Sequence, residues 1–206
     1  NTVFIGLSII FYLELQGDVQ RVNRIIGHIR NKYPWVQIVA GGVKWFAVGL
    51  VDADWYVTGN GEFAMDAILK YLTGNGSEPK HVPAQNGKLI DAVHAYPCFP
   101  KRDARISFEE RDHIQPHEAL NIELARGCKF KCKYCSFPLI GLKGDMTRDE
   151  DSVYEELKEN YDRWGVTNYY VTDDTINDTT EKMEKMANAI RRLDFKPSLH
   201  GYARAD

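Results

Sequence analysis

The sequence lacks the features of a membrane or secreted protein. No stretch approaches the ~20 consecutive apolar residues that a membrane-spanning helix needs. The chain also has no basic start followed by an apolar core and a small-residue cleavage site, which is the pattern of a signal peptide. A net charge of -3 gives no excess of positive charge to attract nucleic acid or anionic lipid. These absences predict a cytoplasmic protein with no membrane partner and no clear nucleic-acid surface.

Cysteine is scarce as well, with four residues in a chain of 206. Three of the four, Cys128, Cys132 and Cys135, share the short stretch RGCKFKCKYC, and the fourth is Cys98. A disulfide framework is disfavoured, because the chain is neither small nor cysteine-rich and thiols this close together pair poorly. The stretch therefore predicts a site for a metal ion or cluster in a reducing compartment. Cys98 is interpreted as a buried thiol that takes no part in the site.

Two kinds of metal site are open from the residues alone. A structural zinc ion takes four protein ligands, and His113 or His117 could supply the fourth. No second cysteine pair exists, however, and Pro116 stands between the two histidines. A cubane iron–sulfur cluster has four irons, so three cysteines leave one iron open to a small molecule. The count of three thiols favours the cluster.

The first part of the chain alternates the patterns of strands and helices. The predicted elements are strands at 3–10, 37–40 and within 53–62, and helices at 18–33 and 62–72. The predicted inward face of the first helix is Val19, Val22, Ile25, Ile26, Ile29 and Tyr33. This order favours an open parallel sheet, whose ligands bind beyond the carboxyl ends of the strands. We expect one domain over 1–75, then a linker over 76–117 that contains a short hairpin around Asn86 and Gly87.

The last part of the chain repeats this rhythm as strand, helix, strand, helix, strand. The predicted elements are strands at 121–126, 168–174 and 197–204, and helices at 151–164 and 179–193. The predicted inward residues of the last helix are Met183, Met186, Ala187, Ile190 and Leu193. A parallel strand left uncovered is a poor terminus, so we expect more chain after Asp206.

The cysteine stretch resembles that of the radical S-adenosylmethionine (SAM) superfamily. Its C-x3-C-x2-C loop follows a predicted strand, Tyr134 precedes the last cysteine, and Arg126 and Gly127 lead into the loop. The resemblance covers 118–206 and implies the N-terminal half of a partial (β/α) barrel. It implies a 4Fe-4S cluster and SAM as cofactors, with reductive cleavage of SAM to a 5′-deoxyadenosyl radical. The electron would come from a donor such as a flavodoxin or ferredoxin. The implied metal ligands are Cys128, Cys132 and Cys135.

The resemblance also implies contacts to SAM, while no catalytic residue is assigned. Where the family meets the methionine amine, this chain has TDDT, with Asp173 and Asp174 in place of the more common Gly-Gly-Glu. Arg204, after the third strand, is suited to bind a carboxylate through two hydrogen bonds. The alternatives, a turn-capping aspartate and a surface arginine, stay open. The implied SAM-binding residues are Tyr134, Ser136, Phe137, Asp173, Asp174 and Arg204.

The first part of the chain resembles the later strands of the Rossmann-like cobalamin-binding domain that often precedes a radical SAM barrel. The residues that carry this resemblance are Ser8, Gly41, Gly42, Gly59 and Gly61. Glycines let the backbone approach a large planar ligand closely. The earlier strands and the Asp-x-His-x-x-Gly loop of that domain are absent, so cobalamin binding stays open. The implied fold class is α/β, a partial cobalamin-binding-type domain followed by half a barrel.

Together these features predict a radical SAM enzyme, with a cobalamin-dependent methyltransferase as one form. A methylthiotransferase-like radical SAM enzyme is an alternative within the same chemistry. A structural zinc-binding module is the alternative outside it. The substrate and the oligomeric state cannot be read from these residues.

Overall fold

The computed structural model describes residues 3–8, 16–42, 48–92, 105–133, 135 and 146–205. The described residues up to 92 form one compact unit, and those from 105 onward form another. Each unit is a mixed α/β structure that contains a parallel sheet, as the sequence predicts. Within these described ranges, no helix has both the length and the apolar character needed to cross a membrane.

The first unit is built on a five-stranded sheet of order β1-β2-β3-β5-β4. Its elements are β1 (Phe4–Ser8), α1 (Gln16–Lys32), β2 (Gln37–Gly41), β3 (Trp55–Thr58), α2 (Glu62–Leu72), β4 (Val82–Pro83) and β5 (Lys88–Asp91). Strands β1, β2, β3 and β5 run parallel, while β4 pairs antiparallel with β5. The carboxyl ends of the four parallel strands therefore lie along one edge of the sheet.

Apolar side chains alternate along β2 and β3 and so cover both faces of this sheet. On one face, Ile26 of α1 packs in a buried cluster with Ile38 and Tyr56. On the other face, Ile68 of α2 packs in a cluster that includes Trp55. Full burial of an aliphatic side chain of this size stabilises the fold by roughly 1.5–3 kcal/mol. A sheet covered on both faces is the arrangement expected for parallel strands.

The predicted inward face of α1 is only partly right. Ile26 is fully buried, and Val22 and Ile29 pack against the same cluster. Ile25 and Tyr33, by contrast, are 49% and 40% exposed. A helix turns by about 100° per residue, at 3.6 residues per turn, so neighbouring isoleucines point in different directions. The buried stripe follows Ile26, and the prediction of an inward Ile25 was wrong.

The predicted linker 76–117 contains two strands of the first sheet. Strands β4 and β5 form an antiparallel hairpin, and Asn86 and Gly87 lie in its loop, which confirms that prediction. Strand β5 also pairs in parallel with β3 and buries Ile90 completely. Such a short strand with one fully buried residue leaves little periodicity in the sequence. The boundaries of the predicted domains otherwise stay a prediction.

The second unit is built on a three-stranded sheet of order β10-β9-β6, in which all strands run parallel. Its elements are β6 (Ala119–Ile122), β7 (Ala125–Arg126), β8 (Met146–Thr147), α3 (Glu150–Trp164), β9 (Asn168–Val171), α4 (Thr180–Arg191) and β10 (Ser198–His200). A 3-10 helix at Glu110–Asp112 precedes β6. The core contains Leu120, Leu157 and Tyr169, which come from β6, α3 and β9.

The helices of the second unit begin and end at capping residues. The side chain of Asp149 accepts a hydrogen bond from the Asp151 amide at the start of α3. Gly165 ends α3 with φ +68°, a conformation that glycine adopts without strain. The side chain of Thr179 accepts a hydrogen bond from the Lys182 amide at the start of α4. These residues determine where α3 begins and ends and where α4 begins.

Two predictions for the second unit need correction. The strand expected at 121–126 is divided, because β6 ends at Ile122 and the chain turns before β7. In α4 the predicted inward Met183 is 36% exposed, whereas Lys182 is 2% exposed. The lysine points inward because two carboxylates lie there, as described below.

We expect Gly87→Ala to lower the free energy of unfolding of the first unit by about 1–3 kcal/mol, the usual cost of overpacking. A Cβ at this position would lie 2.4 Å from the carbonyl oxygen of Ala53 and 2.6 Å from that of Asp54. Urea unfolding followed by circular dichroism measures the change.

The matched control is Gly27→Ala, because Gly27 lies in α1 and a Cβ there would meet nothing within 4 Å. This change should raise the stability by up to ~1 kcal/mol through helix propensity. Equal stabilities for Gly87→Ala and the wild type would show that the hairpin does not pack as described.

Candidate functional site

The parallel register of β6, β9 and β10 brings three chain segments to one edge of the second sheet. Ile122 of β6 pairs with Val171 of β9, and Tyr170 of β9 pairs with His200 of β10. The residues that follow these strands therefore leave the sheet side by side. Ligands of open α/β sheets bind at such carboxyl edges.

The cysteine loop connects the two strands of an antiparallel ribbon, which lies beside this edge. Strand β7 pairs antiparallel with β8, with Ala125 opposite Thr147. Gly127 has φ +92° at the start of the loop, where a side chain would be strained. Arg126 forms two hydrogen bonds with Glu123, with N–O distances of 2.5 and 2.8 Å. Both ends of the loop are thus held close to the end of β6.

A buried ion pair, not predicted from the sequence, anchors this ribbon. Arg148 Nη1 lies 2.6 Å from Glu156 Oε2 and 2.8 Å from the carbonyl oxygen of Glu123. Its Nη2 lies 2.9 Å from Ser152 Oγ. Burial raises the pKa of Glu156, and the charge of Arg148 opposes that rise. The network ties the chain after β8 to α3 and to the end of β6.

The described part of the loop carries three thiols. Cys128 and Cys132 are half-buried and Cys135 is exposed. The Cys135 amide donates to the Cys132 carbonyl oxygen at 3.0 Å. Soft thiolates in this number suit an iron–sulfur cluster by donor chemistry. Among the described residues, no three histidine, cysteine, aspartate or glutamate side chains gather closely enough to hold a metal ion.

The histidines of the zinc alternative gain no support from this geometry. His113 and His117 are both exposed, and His113 has a left-handed φ of 52° after the 3-10 helix. Within the described ranges neither histidine joins the cysteines in a group that could hold a metal ion.

Arg204 contacts the cysteine loop from the segment that follows β10. Its Nη1 lies 3.2 Å from Cys132 Sγ. Its guanidinium carbon lies 4.0 Å from the centre of the Phe130 ring. Asn177 holds the Arg204 backbone, donating to its carbonyl oxygen at 2.7 Å and accepting from its amide at 2.8 Å. Arg204, which is predicted to bind SAM, therefore contacts Cys132, which is predicted to be a cluster ligand.

The two aspartates of TDDT occupy different environments. Asp173 is 3% exposed, and its Oδ1 accepts a hydrogen bond from the Leu124 amide at 2.8 Å. Its Oδ2 lies 3.4 Å from Lys182 Nζ. Asp174 is exposed. Burial raises the pKa of Asp173, and partial desolvation raises the pKa of Asp174; the charge of Lys182 opposes the rise in each case.

Lys182 of α4 is the centre of a buried group of charges that the sequence did not reveal. Its Nζ lies 2.8 Å from Asp178 Oδ1 and 2.6 Å from the carbonyl oxygen of Thr175. Together with Asp173, the group comprises one ammonium and two carboxylates, all buried. These contacts fix the connection between β9 and α4. Asp173 therefore faces the interior, and Asp174 is the carboxylate of this pair exposed to solvent.

Some predicted site residues lie outside the described part of the chain. These are Tyr134, Ser136 and Phe137, together with Cys98. Their predicted roles stay predictions.

The residues of the first unit that are predicted to contact cobalamin lie at the carboxyl edge of its sheet. Ser8 and Gly41 are cross-strand partners at the ends of β1 and β2. Gly42 and Gly59 have φ values of +70° and +75°, and Gly61 immediately precedes α2. A Cβ at Gly41 would meet only the Leu7 carbonyl oxygen, at 4.0 Å.

Comparison with known proteins confirms the predicted resemblance. Residues 122–202 match the model of the radical SAM superfamily. The match begins at the last residue of β6 and includes all three cysteines and both aspartates of TDDT. No curated protein matches the chain.

Two solved structures share the fold of most of the chain. One is the radical S-adenosylmethionine methyltransferase TsrM from Kitasatospora setae, with cobalamin and a 4Fe-4S cluster bound. It is 17% identical, with a TM-score of 0.59 over 93% of this chain. The other is the cobalamin-dependent S-adenosylmethionine radical enzyme OxsB, with aqua-cobalamin and S-adenosylmethionine bound. It is 13% identical, with a TM-score of 0.56 over 95% of this chain.

The chain spans only part of each of these proteins, 41% of TsrM and 30% of OxsB. At these identities the likeness concerns the fold. It confirms the predicted α/β class with parallel sheets, in an arrangement that matches part of each of these two structures.

We expect Lys182→Met to lower the free energy of unfolding by about 3–5 kcal/mol at pH 8, because it leaves two buried carboxylates without their ammonium. Removing that charge also removes a cause that lowers the pKa of Asp173. When the pKa of an acid is higher in the folded than in the unfolded state, its protonated form favours folding at low pH. This contribution to stability is lost as pH rises through the folded-state pKa. The difference in the free energy of unfolding between the wild type and Lys182→Met should therefore become smaller as pH falls. Urea unfolding measured between pH 5 and pH 8 tests this.

The control for this change is Lys185→Met on the same helix. Lys185 pairs with Glu181 at the surface, at 2.6 Å. An exposed pair of this kind contributes about 0–1 kcal/mol, so this variant should remain close to the wild type. A similar small effect for both lysines would contradict the buried charge group.

Proposed function

We propose, from the match of residues 122–202 to the radical SAM superfamily, that the chain is part of a radical SAM enzyme. In this proposal, Cys128, Cys132 and Cys135 hold a 4Fe-4S cluster and leave one iron without a protein ligand. The cluster, when bound, would supply the electron that cleaves SAM reductively to a 5′-deoxyadenosyl radical. The structural observation that supports the proposal is the position of the three-thiol loop beside the carboxyl edge of a parallel sheet.

The residues of the chain have separate tasks in this proposal. The loop's ribbon and the Arg148 network keep the thiols beside the end of β6. The exposed carboxylate of Asp174 receives the methionine ammonium of SAM through charge-assisted hydrogen bonds. Asp173 fixes the backbone next to it, because its own side chain is held by Leu124 and Lys182. This division refines the sequence prediction, which gave both aspartates the same task.

We further propose that the first unit binds cobalamin and that the reaction is a methyl transfer. Gly41, Gly42, Gly59 and Gly61 would let the ligand approach the carboxyl edge of the first sheet. TsrM is a methyltransferase with cobalamin bound, and its structure shares the fold of this chain. Formation of S-adenosylhomocysteine together with 5′-deoxyadenosine from SAM would support methyl transfer. 5′-Deoxyadenosine alone would favour another radical reaction.

The remaining parts of the proposal concern the surroundings of the enzyme. Reduction needs an electron donor, and a flavodoxin or ferredoxin is the proposed partner. A reducing cytoplasm is the proposed location, because it keeps the three thiols available as ligands.

The proposal is tested by anaerobic reconstitution of the chain with iron and sulfide. We expect brown protein with about four irons per chain, the content of one cubane. Changing Cys128, Cys132 or Cys135 to Ala should abolish retention of the cluster, since each removes one thiolate. Cys98→Ala is the matched control and should retain it. Iron and sulfide analysis with absorbance spectroscopy provides the measurement.

Two outcomes would contradict the cluster assignment. The first is full cluster occupancy in the Cys132→Ala variant. The second is colourless protein that holds one zinc ion per chain, which would favour the structural module. A red chromophore on the reconstituted chain would indicate bound cobalamin in addition to the cluster.

Asp174→Asn should weaken SAM binding about 10- to 100-fold while leaving thermal stability unchanged, because an exposed charged acceptor is lost. Asp173→Asn should instead lower thermal stability, because it removes a buried charge that pairs with Lys182. Equilibrium dialysis with labelled SAM and thermal denaturation of the same preparations separate the two effects. Unchanged SAM affinity in the Asp174 variant would remove that residue from the proposed site.

A further inference from the structure

The guanidinium of Arg204 lies against the sulfur of one proposed cluster ligand. Its Nη1 is 3.2 Å from Cys132 Sγ, within the distance of a hydrogen bond to sulfur. The same guanidinium stacks 4.0 Å from the centre of the Phe130 ring, which lies two residues before Cys132. Arg204 therefore contacts the loop both at a ligand atom and at the ring beside it.

The backbone from which the Arg204 side chain extends is held by several contacts. Asn177 makes two hydrogen bonds to the backbone of Arg204, at 2.7 and 2.8 Å. The Ile176 amide donates to the Tyr202 carbonyl oxygen at 2.8 Å. A Cβ at Gly201 would lie 3.1 Å from the Val171 side chain, so the segment passes close to β9. The connection after β9 thus carries the segment that places the guanidinium.

We propose that Arg204 is a positioning residue for the cluster. Its guanidinium donates a hydrogen bond to the Cys132 thiolate and thereby raises the reduction potential of the cluster. This inference rests on the proposed function of the cysteine loop. A thiolate that ligates one iron keeps lone pairs that accept hydrogen bonds, and such bonds help to set the potential of iron–sulfur clusters. Arginine stays positively charged at every working pH. A fixed positive charge and a donor at the sulfur both stabilise the reduced state, which carries one more negative charge.

This role differs from the one that the sequence predicts for Arg204, a contact to the carboxylate of SAM. A guanidinium has five N–H donors, so donation to sulfur through Nη1 does not exclude a carboxylate at another nitrogen. The two roles separate when the cluster is measured in the absence of SAM. A residue that serves only the SAM carboxylate leaves the potential of the SAM-free cluster unchanged.

The test compares the reconstituted wild-type chain with Arg204→Gln and Arg204→Lys. Iron and sulfide content is determined first, and the potential is then measured without SAM by redox titration monitored by electron paramagnetic resonance. We expect Arg204→Gln to lower the reduced-to-oxidised ratio about tenfold at a fixed potential, a shift of about 59 mV for one electron. Arg204→Lys should shift the potential less, because it keeps the charge and loses the planar donor group.

The matched control is Arg191→Gln. Arg191 lies on the surface of α4 and donates to Asn188 Oδ1 at 2.9 Å, so its loss removes the same charge from the same unit. Asn177→Ala is a further variant, which keeps the guanidinium of Arg204 but removes the hydrogen bonds that hold the Arg204 backbone. We expect a shift in the same direction as Arg204→Gln but smaller, and no shift in the control.

The outcomes distinguish this inference from the proposed function. If the wild-type chain retains no cluster, the proposed function fails and this inference fails with it. If the wild type retains the cluster and Arg204→Gln has the same potential as Arg191→Gln, only the inference is overturned. If Arg204→Gln loses the cluster, the lysine and Asn177 variants decide: a lowered potential in them supports the inference, and unchanged potentials overturn it.

Discussion

The parallel register of β6, β9 and β10 is the constraint on which the candidate site depends. Parallel strands end at the same edge, so the turn before the cysteine loop, the TDDT segment and the Arg204 segment emerge side by side. A slip of one residue would turn the side chains of a strand to the opposite face and remove Tyr169 from the core.

Buried charged side chains hold the connections that follow these strands in place. Lys182 joins Asp173 and Asp178 after β9, and Arg148 joins Glu156 and the end of β6. Desolvation makes such groups costly, and their stability contribution is often small compared with well-packed apolar residues. Removing one partner, however, is strongly destabilising. These pairs therefore favour a single arrangement of the connections around the edge, which is what a ligand site with several contacts requires.

The sequence predicts those parts of the fold and of the site that are local. The spacing of three cysteines lies within one stretch, and the hairpin at Gly87 follows from its turn residues, so both could be read directly. The contact between Arg204 and Cys132 joins residues 72 positions apart and follows only from strand order. Lys182 was missed because helical periodicity assigns a lysine to the solvent side, although its neighbours here are carboxylates. The same reasoning placed Met183 inward, where the structure exposes it.

The central claim is that three cysteine thiolates hold a cluster and leave one iron for SAM. Electron paramagnetic resonance of the reduced, reconstituted chain tests it most directly, with spectra recorded before and after addition of saturating SAM. The account predicts that SAM changes the signal of the wild-type cluster, because its amine and carboxylate bind the iron that lacks a cysteine. A spectrum that SAM leaves unchanged, although the cluster is fully loaded, would contradict the account.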